Sequence, residues 1–147
     1  CFPGEALATL ESGEKIPVSQ LSPGLRVLAM DNSGRPTYSD FLSFLDHSPK
    51  EEHMFQVIKT QDPHRRLFLT PAHLIFVSDN YSTPASEFQA VFASSVRPGQ
   101  YILVSNVVGL IPAKVRSVNT QTNYGAYAPL TQHGTLVVDD VVVSCFA

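Results

Sequence analysis

The chain has 147 residues, 44% of them hydrophobic and 16% charged, with a net charge of −3. That length and composition fit one soluble domain able to bury a full core. The weak acidic balance, with no cluster of Lys and Arg, argues against nucleic acid as a partner. The longest apolar runs, such as LVVDDVVV, are broken by Asp139 and Asp140 and fall far short of a membrane span.

Two cysteines, Cys1 and Cys145, are too few for a disulfide scaffold, and no CxxC pair suggests a zinc ribbon or redox motif. No basic segment followed by an apolar one marks a signal peptide. A first residue of Cys, where a newly translated chain carries Met, is expected of a fragment of a longer precursor.

In chain order the pattern is one of short strands punctuated by Gly, Pro, Asn and Asp. ALATLE and KIPVSQL flank SGE as a hairpin, and RVLAM runs into the turn cluster DNSGRP. In TYSDFLSFL the aromatics Tyr38, Phe41 and Phe44 do not alternate strictly, which predicts a bulge or a strand buried on both faces. MFQVIKT alternates as a half-buried strand should. After the break QDPHRR come LFLT and LIFVS, with the corner PAH between them, then FQAVF, YILVS, AKVRSV, AYAPL and TLVVDDVVV. The best helical candidate, PASEFQAVFASSV, has poor periodicity. An all-β sandwich or barrel-like fold is expected, with no division of residues 1–147 into separate domains.

An internal echo adds a symmetry. LSPGLRVLAMDNSG at 21–34 and VRPGQYILVSNVVG at 96–109 share Pro23 and Pro98, Gly24 and Gly99, Val27 and Ile102, and the closing Gly34 and Gly109 at one offset. Two duplicated β-units about a pseudo-twofold axis would produce this pattern. LTPAHL at 69–74 and LTQHGT at 130–135 form a weaker echo.

The chemistry-bearing residues begin with Cys1. Its thiol could attack the carbonyl of a preceding residue through a small ring, turning an amide into a thioester and freeing the amine. An amide is the more stable of the two, so the fold must supply oxyanion donors and a proton for the leaving nitrogen. His73 can be that acid. Thr70, three residues earlier and extended before Pro71, could hold the scissile amide or orient the imidazole. A TxxH by itself is ordinarily structural; it gains meaning beside Cys1 and the duplicated frame. Cys145, taken alone, is a small buried hydrophobe. Asp46, followed by HSPKEEH, is by itself a turn residue. His47, His53 and His64 lie in polar segments, and the spacing of His47 and His53 gives no metal geometry. His133 caps a turn or echoes the TxxH corner. The sequon Asn80–Ser82 in SDNYSTPASE would be a glycosylation acceptor on a secretory route.

CFPG, LSPGLRVLAM, YSDFLSFLD, LTPAHL, GAYAPLTQHGTLVV and SCFA together resemble the C-terminal autoprocessing domain of vertebrate Hedgehog proteins, over essentially the whole chain. The resemblance implies the Hint fold shared with inteins, all-β and pseudo-twofold symmetric, as a single domain over 1–147. It implies Cys1 as nucleophile of an N-to-S acyl shift, Thr70 and His73 as the pair that binds and activates the scissile bond, and Asp46 as the acid needed when the 3-hydroxyl of cholesterol attacks the thioester. Cys145 would lie near the site and could pair with Cys1 under oxidising conditions.

The implied partners are the chain's own upstream signalling domain and cholesterol as second substrate, with no cofactor, no metal and no nucleic acid. The implied state is a monomer, and the implied route leads through the endoplasmic reticulum to secretion. The chain lacks the terminal His-Asn of a splicing intein, and nothing in it resembles a sterol-recognition extension, so thiol-induced cleavage is expected and efficient cholesterol transfer is not. Two other functions stay open on the residues alone: an N-terminal-nucleophile hydrolase in which the α-amine activates the thiol, and a non-catalytic β-module closed by a Cys1–Cys145 disulfide.

Overall fold

The computed structural model describes all residues, 1–147. Eleven strands and three single-turn 3₁₀ helices make up the chain, with no α-helix. The strands are β1 (Leu7–Thr9), β2 (Lys15–Pro17), β3 (Arg26–Met30), β4 (Pro36–Gln61), β5 (Arg66–Leu69), β6 (Leu74–Ser78), β7 (Gln89–Phe92), β8 (Tyr101–Asn106), β9 (Gly109–Thr131), β10 (Thr135–Val138) and β11 (Val141–Ser144). They join in one sheet whose main path runs β2-β1-β10-β11-β6-β8-β9-β4-β3, with β5 on β4 and β7 on β6.

The frame is a ribbon of two long antiparallel strands, β4 and β9, paired from Phe41↔Thr131 to Gln61↔Lys114. The expected break at HSPKEEH is absent: TYSDFLSFL and MFQVIKT are parts of one strand, as are AKVRSV and AYAPL. Polar residues there face solvent, and Pro49, Lys50 and Glu51 drop out of the pairing in a register shift between Ser48 and Glu52, but the strand resumes against β9, so composition alone misplaces a strand end. The non-alternation at Phe41 and Phe44 is bulging, since register shifts fall between Phe41 and Ser43 and between Phe44 and Asp46. Such extra residues bend a strand and re-aim side chains.

PASEFQAVFASSV is not helical. It forms two 3₁₀ turns, Ala85–Glu87 and Ala93–Ser95, around β7. Val91 and Phe92 are β-formers, and β7 pairs with β6 from Leu74↔Phe92 to Val77↔Gln89, so sheet pairing wins over a weak helical period.

The duplication is real and longer than its sequence trace. The 3₁₀ turns Val18–Gln20 and Ala93–Ser95 precede Gly24 and Gly99, whose φ values are 102° and 93°. Only glycine adopts that left-handed geometry without strain. Matched backbone bonds follow: Val18 N–H to Ala6 O (2.7 Å) beside Ala93 N–H to His73 O (2.8 Å), and Phe41 N–H to Leu25 O (2.9 Å) beside Val115 N–H to Gln100 O (2.8 Å). By this register Ala6 is the counterpart of His73. LTQHGT lies outside the repeat; His133 instead turns its ring nitrogen to Ser39 Oγ at 2.8 Å.

The hydrophobic core gathers both halves, with Phe2, Val18, Val27, Ile58, Leu69, Ile75, Ile102 and Leu136 essentially sealed from solvent. TLVVDDVVV is a hairpin, Leu136↔Val143 and Val138↔Val141, with Asp139 and Asp140 at φ 48° and 63° in the turn. Positive φ at both turn residues matches the right-handed twist of the flanking strands. Asp139 Oδ1 accepts the Leu7 N–H at 3.0 Å and Asp140 pairs with Lys15 at 2.7 Å, so the turn also ties this hairpin to β1 and β2.

The first residues enter this frame as a short extra strand. Phe2 and Tyr127 exchange backbone hydrogen bonds of 2.8 and 2.9 Å. The Tyr127 ring lies against Gly4, where an added Cβ would come 2.9 Å from Tyr127 Cε1 and 3.4 Å from Ser19 Cβ. Gly4→Ala is therefore expected to cost about 1–3 kcal/mol, the usual range for overpacking. The urea midpoint of folding checks it; an unchanged midpoint would mean the ring is not confined as described.

Candidate functional site

Cys1, Thr70 and His73 meet where three segments converge. The entering strand brings Cys1, the corner between β5 and β6 brings Thr70 and His73, and the end of β11 closes the far side. The corner is local in origin. Leu69 is buried, Pro71 interrupts the strand, and His73 N–H bonds back to Thr70 O at 3.0 Å, so the chain turns and carries both side chains to one place. Thr70 N–H also donates to the Cys1 carbonyl at 2.9 Å, fixing the first residue against the corner.

The Cys1 α-amine donates to Thr70 Oγ1 at 2.9 Å and reaches His73 Nδ1 at 2.6 Å. The other ring nitrogen, Nε2, lies 2.6 Å from the Ser144 carbonyl. A carbonyl only accepts, so Nε2 carries the proton and Nδ1 presents its lone pair to the amine. His73 is fully buried, its ring 4.6 Å from that of Phe2. Burial, and then the neighbouring ammonium, push its pKa down to about 4, against the raising effect of the Ser144 carbonyl. Burial likewise lowers the α-amine to about 5, although the Asp46 carboxylate acts the other way. Both groups are neutral near pH 7.

On the solvent side the Cys1 thiol donates to Asp46 Oδ2 at 3.7 Å. The other carboxylate oxygen, Oδ1, accepts the His47 N–H at 2.8 Å, which orients the acid. Asp46 thus lies in β4 beside the second bulge and not in a turn, and the bulge aims it at the thiol. Chemically the site holds a nucleophile, an acceptor for its proton, a hydroxyl and an imidazole on the nitrogen that would leave, and no metal-binding cluster of His, Cys, Asp and Glu.

Cys145 is buried and both cysteines are free thiols. Its Sγ lies 3.6 Å from Thr131 Oγ1, and burial raises its pKa, so it stays a protonated thiol. Its tie to the site runs through the backbone, because its neighbour Ser144 supplies the carbonyl that holds His73. Asn80 is exposed beyond the far end of β6 from His73, its Oδ1 accepting the Ser82 N–H at 3.0 Å. His47 packs its ring against Tyr127 at 4.9 Å, while His53 turns to Ser48 and Glu51. Sequence reasoning missed Phe2, Thr131, Tyr127 and the Ser144 carbonyl. Phe2 could have been weighed as the residue seating Cys1, but a backbone carbonyl leaves no signal in a sequence.

An all-β chain of two matched halves with this cluster at their junction has the architecture of the inteins. Over 97% of the chain it superposes on 96% of a DnaB intein from Synechocystis sp. PCC 6803 with a TM-score of 0.80 at 12% identity. An intein from a hyperthermophile aligns with a TM-score of 0.78 at 14% identity, covering 98% of each chain. The sequence matches the Hint module over residues 1–147, and the chain belongs to that family. Across its full length it is 62% identical to the Indian hedgehog protein of Gallus gallus and covers 36% of that protein. It is 42% identical to the Sonic hedgehog protein of Danio rerio, of which it covers 35%. The chain thus spans about a third of the length of these relatives.

Two expectations follow. With Cys1 partly exposed and Cys145 buried, an alkylating agent should label one thiol per native chain quickly, and the second only on unfolding; intact-mass analysis reads the count. The α-amine falls from 8.0 to about 5, and His73 from 6.5 to about 4, on folding. The unfolded chain therefore binds more protons between those values, and stability is full above pH 8.0 and lost as pH falls through that window. Urea midpoints measured from pH 8.0 down to about 5, above the carboxylate range, should decline steadily; a flat profile would contradict it.

Proposed function

We propose that this domain cleaves the peptide bond preceding Cys1 by an N-to-S acyl shift, forming an internal thioester. In the longer precursor, cholesterol attacks that thioester and releases the upstream signalling domain as its ester. The observation that carries the reading is the position of the Cys1 nitrogen, held between Thr70 Oγ1 and His73 Nδ1 while the thiol of the same residue faces Asp46.

In the precursor that nitrogen is an amide. Its N–H has Thr70 Oγ1 and His73 Nδ1 as acceptors, so the scissile bond is held before the thiol attacks. Asp46 can take the thiol proton, and the sulfur is already within a small ring of the preceding carbonyl. As the C–N bond breaks the nitrogen needs a proton; Nδ1, bare in the neutral ring, first takes one up in place of that shed by the thiol and is the ring atom placed to deliver it. Burial makes a protonated His73 a strong acid, so transfer to nitrogen is downhill, while Nε2–H stays on the Ser144 carbonyl. The amine so freed is a weak base, which makes it a better leaving group than an amine in water.

Because that amine stays unprotonated, nothing stops it from attacking the thioester again. A second nucleophile must trap the acyl group, and Asp46, on the solvent side of the sulfur, is placed to accept the proton of an incoming alcohol. The relatives are hedgehog proteins longer than this chain, which supports an upstream domain as the acyl group and a secretory route for the precursor.

The test is mass spectrometry of a precursor carrying a peptide upstream of Cys1. Added small thiol should release that peptide from the unchanged precursor. Cys1→Ala should abolish release, and His73→Ala should slow it by about 10²–10⁴, the usual worth of general acid catalysis. Asp46→Ala should slow alcohol-dependent release by about 10²–10⁴ and thiol-induced release less, since the first step loses the acceptor of the Cys1 proton but an added thiol supplies its own thiolate in the second. Thiol-induced release that survives Cys1→Ala would refute the thioester.

A further inference from the structure

The cleaved form keeps every group of the site. Its thiol is partly exposed and bonded to Asp46, and its α-amine lies 2.6 Å from His73 Nδ1 and 2.9 Å from Thr70 Oγ1. A thiol and an amine on one residue form a 1,2-aminothiol, the group that captures acyl thioesters and passes the acyl to nitrogen through a five-membered ring. We propose that the domain bearing a free Cys1 α-amine is an acyl acceptor in trans, taking an acyl group from an external thioester onto Cys1 Sγ and moving it to the Cys1 nitrogen. This rests on the self-processing reading, since it is the shift of that reading run backwards.

A site that lowers the barrier in one direction lowers it equally in the other. Asp46 Oδ2 accepts the proton of the Cys1 thiol, and the thiolate attacks the donor carbonyl. The C–S bond of the donor breaks, and its mercaptan leaves as thiolate and takes up a proton from solvent. The Cys1 nitrogen then attacks the new thioester. Its C–S bond breaks, and the proton shed by nitrogen passes to His73 Nδ1 and on to the returning sulfur. No oxidant or cofactor enters, and the product is an N-acylated domain with its thiol restored.

Three features favour this chemistry. In water an ordinary α-amine is almost wholly protonated below neutrality, whereas burial holds this one down to about 5. The competing thiol, Cys145, is buried and protonated, so acyl groups reach only Cys1. The donors must be thioesters: an amide donor would need its own proton on a leaving nitrogen, and the one imidazole present already serves the Cys1 nitrogen. The acceptor is consumed, so the reaction stops at one acyl group per chain.

The probe is the acetyl thioester of 2-mercaptoethanesulfonate, incubated with the free-amine domain and, in parallel, with the ten-residue peptide CFPGEALATL. Intact mass counts acetyl groups, and hydroxylamine separates labile thioester from stable amide. The folded domain should gain one hydroxylamine-stable acetyl group. At about pH 6, where an ordinary amine is roughly a hundredth unprotonated, its shift from sulfur to nitrogen should outpace the peptide's by at least about tenfold. His73→Gln should let the labile thioester adduct accumulate.

A shift no faster than the peptide's, a lasting labile adduct on the unchanged domain, or mercaptan release well beyond one equivalent would overturn the inference. The comparison of domain with peptide decides the matter even if the His73 variant fails to fold. Loss of this activity together with intact thiol-induced precursor cleavage refutes the inference alone. Loss of both refutes the self-processing reading as well.

Discussion

Everything at this site depends on how Phe2 is seated. Its backbone is clamped to Tyr127 by two hydrogen bonds, its ring is sealed in the core, and that ring lies against the imidazole of His73. With Phe2 fixed, the residue before it has little freedom left, and the Thr70 N–H removes more of it by holding the Cys1 carbonyl. The nitrogen and sulfur of Cys1 are thus aimed in different directions, one inward at Thr70 and His73, the other outward at Asp46. A flexible chain end would lose most of the advantage of an intramolecular reaction, because orientation is where that advantage comes from.

The inward and outward environments then divide the chemistry. On the inward side burial makes charge costly, so the amine and the imidazole are both held neutral. The Ser144 carbonyl sets which imidazole nitrogen is free, a task that falls to backbone because β11 ends there. On the outward side Asp46 is exposed and oriented by the His47 amide, so its carboxylate is open to solvent beside the Cys1 sulfur. Cys145 shares the inward environment and is quiet for the same reason: burial raises its pKa and outweighs the hydrogen bonds of Thr131 that favour the thiolate.

The duplicated halves show how such a site can arise from a symmetric scaffold. Ala6 and His73 occupy equivalent places, each accepting from the residue that opens a 3₁₀ turn, Val18 or Ala93. One half uses that position to carry an imidazole and the other leaves it a methyl group. The entering strand fills the space at the junction, so reactivity belongs to one half only. Asp46 comes from the ribbon that binds the halves together, far in sequence from both Cys1 and His73 and brought near by bulges in β4.

The all-β class, the paired Pro-Gly turns, most of the strands and the candidacy of Cys1, Thr70 and His73 were legible in the residues, because each rests on local chemistry: alternation, φ preference, the reactivity of a thiol. The polar stretch around HSPKEEH misled because strand continuity there is set by β9, a partner more than fifty residues away in sequence. PASEFQAVFASSV misled for a similar reason, its backbone being claimed by β6. Asp46 had no local mark of function at all; resemblance pointed to it and a bulge placed it. The sequence alone determined which groups were available and which turns could form. Only the tertiary structure decided which groups are buried, which imidazole nitrogen is free and which side of Cys1 meets solvent, since those depend on neighbours that no local pattern specifies.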